Sequence, residues 1–393
     1  MSMPSFRLRR MLPYVLPALM GIAALAALPA VAGESSLEKY YSEPRGRWSI
    51  DQSSKKLKTG EISLGFQVGS RSNGSMNSSR VPIRDLEGFD AALLNGGSGP
   101  VAFTLTRDAG TFTMKGQMDE GLGAGTFTFV ADPAFVTELA RRGLERPSAA
   151  EQFALAVHDA GFNLVDALDR NGYSKPTTRE LIRMAMHGVN VSYVDGMAKQ
   201  GYKLGEIDLL VRARDHGVDP EYVQDLAKYG YRKLPIDEAI RARDHGVDSE
   251  FLAGMQPFGP LTLNEAIHMR DHGVDETYVA AMSEMGFGDL SRQELVRARD
   301  HGVDEDYVAE MKKAGFGDLA LPELIQARDH GVDAKFAAEM RTAGYDLSLN
   351  QLITARDHGV DARFAKRVTS NLGHKPSFEQ LVRYHDRGLD GDD

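Results

Sequence analysis

Arg299-Asp300-His301-Gly302-Val303-Asp304 is one of six identical R-D-H-G-V-D strings; the others begin at Arg214, Arg243, Arg270, Arg328 and Arg356. Looser copies lie on either side. His158-Asp159-Ala160-Gly161 and Met186-His187-Gly188-Val189-Asn190 precede them, and Asp386-Arg387-Gly388-Leu389-Asp390 follows. The aligned glycines, from Gly161 to Gly388, stand 27 to 29 residues apart. Self-similarity at a fixed period of roughly 20–50 residues marks a solenoid or array, in which each unit buries its apolar face only against its neighbours.

Residues 321–345 illustrate what one period encodes. Leu321, Leu324, Ile325 and Ala327 make a helical apolar face that ends at Arg328-Asp329-His330. Gly331 then falls where a helix C-terminus needs a positive φ, which glycine adopts at least cost. Val332 is the apolar residue that follows such a cap, and Asp333 can accept hydrogen bonds from the free N–H groups of the next helix. That helix carries Phe336, Ala337, Met340 and Ala343 and closes on Gly344-Tyr345. The same logic assigns C-caps to Gly188, Gly217, Gly246, Gly273, Gly302, Gly331 and Gly359, and N-caps to Asp219, Asp248, Asp275, Asp304, Asp333 and Asp361. Capping boxes before the first helices, Thr177–Glu180, Thr262–Glu265, Ser291–Glu294 and Ser348–Gln351, mark where each unit starts. Helices of about ten residues are marginal alone in water, so they must stack. Asp132, Phe135, Val136, Leu139 and Gly143-Leu144 match the second half of a unit, and Ser148 to Glu151 opens the next. The array is therefore expected over 132–390, with 391–393 as an acidic tail.

Residues 33–131 have a different texture. Ile62, Leu64, Phe66 and Val68 alternate with polar or small residues, and Val101–Arg107, Thr111–Lys115 and Thr126–Val130 read as three more strands. Asp108-Ala109-Gly110 and Gly121–Gly125 read as turns, and Ser70–Ser79 as a loop. The expected fold class is α+β and multidomain: a small antiparallel β domain at 33–131, then an α-solenoid of about nine helix-turn-helix repeats of about 29 residues each.

The 393 residues carry 46 Lys and Arg against 56 Asp and Glu, a net charge of −10. An acidic chain repels a phosphate backbone, so nucleic acid is not an expected partner. There is no cysteine, which excludes disulfides, thiolate zinc sites and cysteine nucleophiles. Arg7, Arg9 and Arg10 precede an apolar run from Met11 to Leu28 and the small-residue site Ala30-Val31-Ala32. That order predicts a signal peptide over 1–32, cleaved before Gly33, with no stable membrane span afterwards and a periplasmic or secreted location.

Catalytic signals are few. Gly121-x-Gly123-x-Gly125 lacks the Lys-Ser/Thr of a phosphate loop and precedes a strand, so it reads as part of a hairpin. No HExxH or GxSxG occurs. The repeated Asp-His pairs do not chelate as pairs, since adjacent helical residues point about 100° apart. They read instead as structural: the histidine covers last-turn carbonyls and, when charged, favours the helix C-terminal dipole, while the Arg and Asp beside it can form a ladder of pairs from unit to unit. In one irregular, shorter unit Glu265, His268 and His272 share a helix face at ligand spacing, a weak metal candidate. Residues that every unit needs are identical, so discriminating contacts are expected where units differ: Gln200, Lys228, Tyr229, Ser283, Glu284, Lys312, Lys313 and Arg341.

The pattern H-G-V-x-x-x-Y/F-V-x-x-M/L-x-x-x-G-Y/F, with Phe112-x-Met-x-Gly116 and Gly121-x-Gly-x-Gly-x-Phe127-x-Phe129 before it, resembles the extracytoplasmic C-terminal region of some BlaR-type metalloprotease sensors and related bacterial proteins. The resemblance covers most of 47–390. The membrane helices and HExxH motif of those sensors are absent, so proteolysis does not carry over and an envelope sensing or binding role is what the resemblance implies. The expectation is an exported, non-enzymatic module without a cofactor that binds a protein or another envelope component. The alternatives are a binder of a repetitive envelope glycan or peptide along the identical columns, and a metal protein or enzyme built on Glu265, His268 and His272.

Overall fold

The computed structural model describes residues 34–51, 60–69 and 75–389. The expected signal peptide, its expected cleavage site and the acidic tail lie outside the described residues. The chain is α+β: a curled antiparallel sheet followed by a helical, repeat-like region. It divides into two compact units, Met1–Asp215 and His216–Asp393.

In the first unit a helix, α1 (Glu34–Tyr41), leads into seven strands: β1 (Arg45–Ile50), β2 (Glu61–Val68), β3 (Ser75–Pro82), β4 (Leu86–Glu87), β5 (Gly99–Arg107), β6 (Gly110–Asp119) and β7 (Leu122–Ala131). Their order is β3-β2-β1-β7-β6-β5-β4 and every pairing is antiparallel. Of these, β2, β5, β6 and β7 were legible as alternating runs. β3 occupies half of the stretch expected to be a loop. It is an edge strand that pairs with β2 alone, so few of its residues need be apolar, and Val81 is buried.

The Gly-rich hairpin has a packing reason. Trp48 on β1 sits opposite Gly125 on β7, which pairs with Gly116 on β6. A Cβ on Gly116, Gly123 or Gly125 would lie 2.7–2.9 Å from the indole. The three glycines thus form a trench that holds Trp48 at 2% exposure, with its Nε1–H donated to the Lys115 carbonyl at 3.2 Å. Only Gly121, at the turn itself, needs its positive φ of 84°.

Five more helices complete this unit after α2 (Pro133–Arg141): α3 (Ala149–His158), α4 (Phe162–Arg170), α5 (Thr178–Met186), α6 (Val191–Lys199) and α7 (Ile207–Asp215). α3 has no outward face; Gln152 through Val157 are all buried. Phe153 stacks on Phe129 at 5.1 Å and meets Phe112, Phe127 and Tyr41. Gln152 donates to the carbonyls of Ala109 and Asp132 at the ends of β6 and β7. Arg107 at the end of β5, its side chain 6% exposed, donates to the Ala156 and Val157 carbonyls at 2.5 and 2.9 Å. Both are last-turn carbonyls; Ala156 also accepts from the Asp159 N–H at 3.4 Å, and the arginine adds a second donor there. The sheet and the first helices therefore share one core.

The looser repeat at 158–161 departs from the expected pattern. Gly161 has φ −109° and is the N-cap position of α4, while Asp159 takes the left-handed turn at φ 57°. Asp108 of the β5–β6 turn accepts from the Phe162 N–H at 2.7 Å, and a Cβ on Gly161 would sit 2.3 Å from that carboxylate. Glycine is there for closeness, not for φ.

His158 is held by Tyr41 Oη at Nε2 (2.7 Å) and Asn77 Nδ2 at Nδ1 (2.9 Å). An amide nitrogen only donates, so Nδ1 accepts and the ring is neutral. Burial, and then the charge of Arg107, push its pKa down from 6.5 to about 4. Between those values the unfolded chain binds the extra proton, so stability falls as pH drops from about 6.5 towards 4.

In the second unit the helices are α8 (Pro220–Lys228), α9 (Ile236–Asp244), α10 (Ser249–Gly254), α11 (Leu263–Asp271), α12 (Glu276–Met282), α13 (Arg292–Asp300), α14 (Glu305–Lys313), α15 (Leu321–Asp329), α16 (Ala334–Thr342), α17 (Leu349–Asp357), α18 (Ala362–Leu372) and α19 (Phe378–Asp386). Alternate helices lie side by side: α8 with α10, α10 with α12, α12 with α14, α14 with α16 and α16 with α18. The period is least regular at α10, which has six residues and runs into a 3-10 turn over Gln256–Phe258. No helix among the described residues is long and apolar enough to cross a membrane.

Two outcomes test this packing. Gly125→Ala should destabilise the protein by about 1–3 kcal/mol in a chemical melt, because the methyl has no room against the Lys115 carbonyl and the indole. The wild type should lose roughly 1–2 kcal/mol between pH 7 and pH 5 through His158, and His158→Gln should flatten that part of the profile.

Candidate functional site

The six-letter string occupies the turn between the two helices of each unit, and every letter has a structural partner. At the α13–α14 turn, Gly302 has φ 68°. The Val303 N–H reaches back to the Ala298 carbonyl at 2.8 Å and the Gly302 N–H to Arg299 at 3.0 Å, which closes the helix in a Schellman-type cap. Val303 is fully buried, and Asp304 accepts from the Tyr307 N–H at 2.9 Å as the N-cap of α14. The other predicted cap glycines, Gly188, Gly217, Gly246, Gly273, Gly331 and Gly359, have φ between 69° and 75°. Asp219, Asp248, Asp275, Asp333 and Asp361 each accept from the N–H three residues on.

The remaining letters connect one repeat to the next. His301 Nδ1 donates to Asp329 at 2.6 Å, the aspartate of the following string. The same bond joins His216 to Asp244, His245 to Asp271, His272 to Asp300, His330 to Asp357 and His358 to Asp386, at 2.6 to 2.8 Å. In the first unit His187 bonds Asp215. These rungs replace the expected contact with last-turn carbonyls: the histidine reaches forward to the neighbouring repeat. The arginine of each string reaches back. Arg328 lies 4.8 Å from the Tyr307 ring centroid, Arg299 4.7 Å from Tyr278, Arg243 4.8 Å from Tyr222 and Arg356 3.8 Å from Phe336. The tyrosine hydroxyls donate to the next string's valine carbonyl, Tyr307 to Val332 at 2.9 Å and Tyr278 to Val303 at 2.8 Å. Burial pushes both phenols up to about 12, so they remain donors at neutral pH.

The variable positions divide into two groups. Lys312 donates to the Met285 carbonyl at 2.6 Å, and Arg341 to Ala314 at 3.1 Å. Each ties its helix to the end of the preceding repeat, as Lys375 does at Gly344. Lys228 pairs with Asp225 one turn back on its own helix. These side chains have structural work that single-sequence comparison did not reveal. Gln200 and Tyr229 are half-buried at helix C-termini. Ser283, Glu284 and Lys313 are exposed, and Lys313 forms no ion pair among the described residues.

Of the three metal candidates, two are committed elsewhere. Glu265 closes the capping box with Thr262 and meets Arg292 at 3.0 Å, while His272 serves the rung to Asp300. The His268 and His272 rings lie 4.3 Å apart, edge to face. Among the described residues no cluster of three His, Asp or Glu side chains could hold a metal ion. What the irregular repeat does contain is a groove of about 700 Å³ between α11 and α13, lined by the half-buried Phe258, by the buried Met269 and Val296 and by the exposed His268 and Arg297. Arg292 fixes one wall by donating to the carbonyls of Phe258 and Pro260.

The string's energetics can be separated by substitution. Asp304→Ala should cost about 0.5–2 kcal/mol as a lost N-cap. His301→Ala should cost less, about 0.2–1 kcal/mol, because its pair with Asp329 is 38–44% exposed. Gly302→Val should cost more than either, since a β-branched residue is strained at positive φ. Calorimetric melts of the three variants should give that order.

No protein-family model, no curated protein and no solved structure matches the chain.

Proposed function

We propose that this chain is an exported, non-enzymatic binding module, an α-solenoid of about nine 29-residue repeats behind a β domain, that holds a protein partner in the envelope in an interaction or sensing role. The observation that carries this reading is the use of the six-letter string. Its arginine, aspartate, histidine, glycine, valine and N-cap aspartate all serve caps or contacts between repeats. A polymer reader would need those identical columns for its ligand. Recognition is left to the exposed positions that differ between repeats, which is how stacked-repeat proteins present a binding surface without disturbing their stack. The resemblance to the extracytoplasmic region of BlaR-type sensors supports the same assignment.

The test uses the full chain. N-terminal sequencing of the protein recovered from the producing cell should begin at Gly33, and the mature protein should retain a partner from an envelope fraction at physiological salt. Exchanging two exposed charges, Glu284→Lys with Lys313→Glu, should leave the melting temperature within about 1 °C and weaken that partner. Retention of nothing from the fraction, or loss of binding on His301→Ala at full stability, would overturn the reading.

A further inference from the structure

The groove between α11 and α13 lies where a side-chain bridge present in two other repeats is missing. In two repeats the sixth residue of the first helix reaches the second residue of the next repeat's first helix. Arg183 pairs with Asp208 in this way, and Arg241 donates to Asn264 at 2.7 Å. In α11 the sixth residue is His268, and its counterpart on α13 is Gln293; no hydrogen bond joins them. Met269 stands where α9, α13, α15 and α17 have alanine, and the short repeat brings Phe258 to the rim. One repeat on, Arg297 is the sixth residue of α13, but the second residue of α15 is Pro322, which has no side-chain acceptor. Arg297 consequently forms no ion pair or side-chain hydrogen bond among the described residues. The acids that line the groove are already paired, Glu265 with Arg292 and Asp300 with His272.

We propose that this groove seats the C-terminal residue of a protein partner, with an apolar side chain against Phe258, Met269 and Val296 and the free carboxylate on Arg297. The proposal rests on the protein-binding reading above. One uncompensated guanidinium suits a monoanion, and its planar fork matches a carboxylate. The buried Val296 and the exposed Arg297 both line the groove, so apolar surface and a cation are offered together. A C-terminal residue likewise carries its side chain and its carboxylate on one carbon. The volume lies within the range of small-ligand sites, about 300–1,000 Å³.

The probe is N-acetyl-phenylalanine, titrated onto the full mature chain by ligand-observed NMR against its uncharged amide. The acid should bind at least tenfold more tightly than the amide. Arg297→Gln should remove that preference. His268→Arg, which restores the bridging residue opposite Gln293, should fill the groove and abolish binding. All three proteins should melt alike, since both positions are exposed. Equal binding of acid and amide, no binding of the acid, or unchanged binding by His268→Arg would overturn the site. A partner captured equally by wild type and His268→Arg would also overturn it, yet leave the broader protein-binding reading standing.

Discussion

Each helix of the repeat-like region is about nine residues long, and a helix of that length does not hold itself together in water. Everything else in this region follows from that constraint. The chain must reverse direction sharply, bury an apolar residue at the reversal and start the next helix at once. Gly302, Val303 and Asp304 perform those three tasks in consecutive positions. The helices must then be held to neighbours, which Arg299 does backwards to Tyr278 and His301 does forwards to Asp329. None of these contacts is strong alone, since exposed ion pairs and cation–π contacts are each worth about 1 kcal/mol or less. Their repetition at every turn supplies what length does not.

Local requirements were legible in the sequence, and relations between repeats were not. A glycine before valine and aspartate declares a positive φ, a buried side chain and an N-cap, because each is a demand of the backbone within six residues. The partner of His301 depends on how one repeat is seated on the next, and periodicity does not encode that register. The same limit applied to Lys312 and Arg341, which differ between repeats yet bond to the preceding helix end. Gly161 was misleading for a related reason. It aligns with the cap glycines, but the neighbouring Asp108 decides its role. In the sheet, the strands with strict alternation were visible, whereas β3 hid behind the polar composition that a one-sided edge strand permits.

The groove was partly visible. The irregular spacing and the His268 exchange could be read directly, and they drew attention as possible metal ligands. Their consequence appears only when the sixth and second positions of successive first helices are compared as bridging pairs. Glu265 and His272 are then seen to be occupied, and the open space falls between Met269 and Val296.

The absence of an outward face on α3 bears on how the molecule can be divided. Phe153 closes the aromatic cluster of Phe112, Phe127 and Phe129, while the rest of the helix packs against α1 and α5. A polypeptide stopped at residue 132 would leave that cluster without its lid and Arg107 without the carbonyls it serves. One begun at residue 133 would expose the apolar side of α3 to water. The sheet therefore behaves as the terminal cap of the first helices, and the smallest fragment that keeps its core intact must contain both.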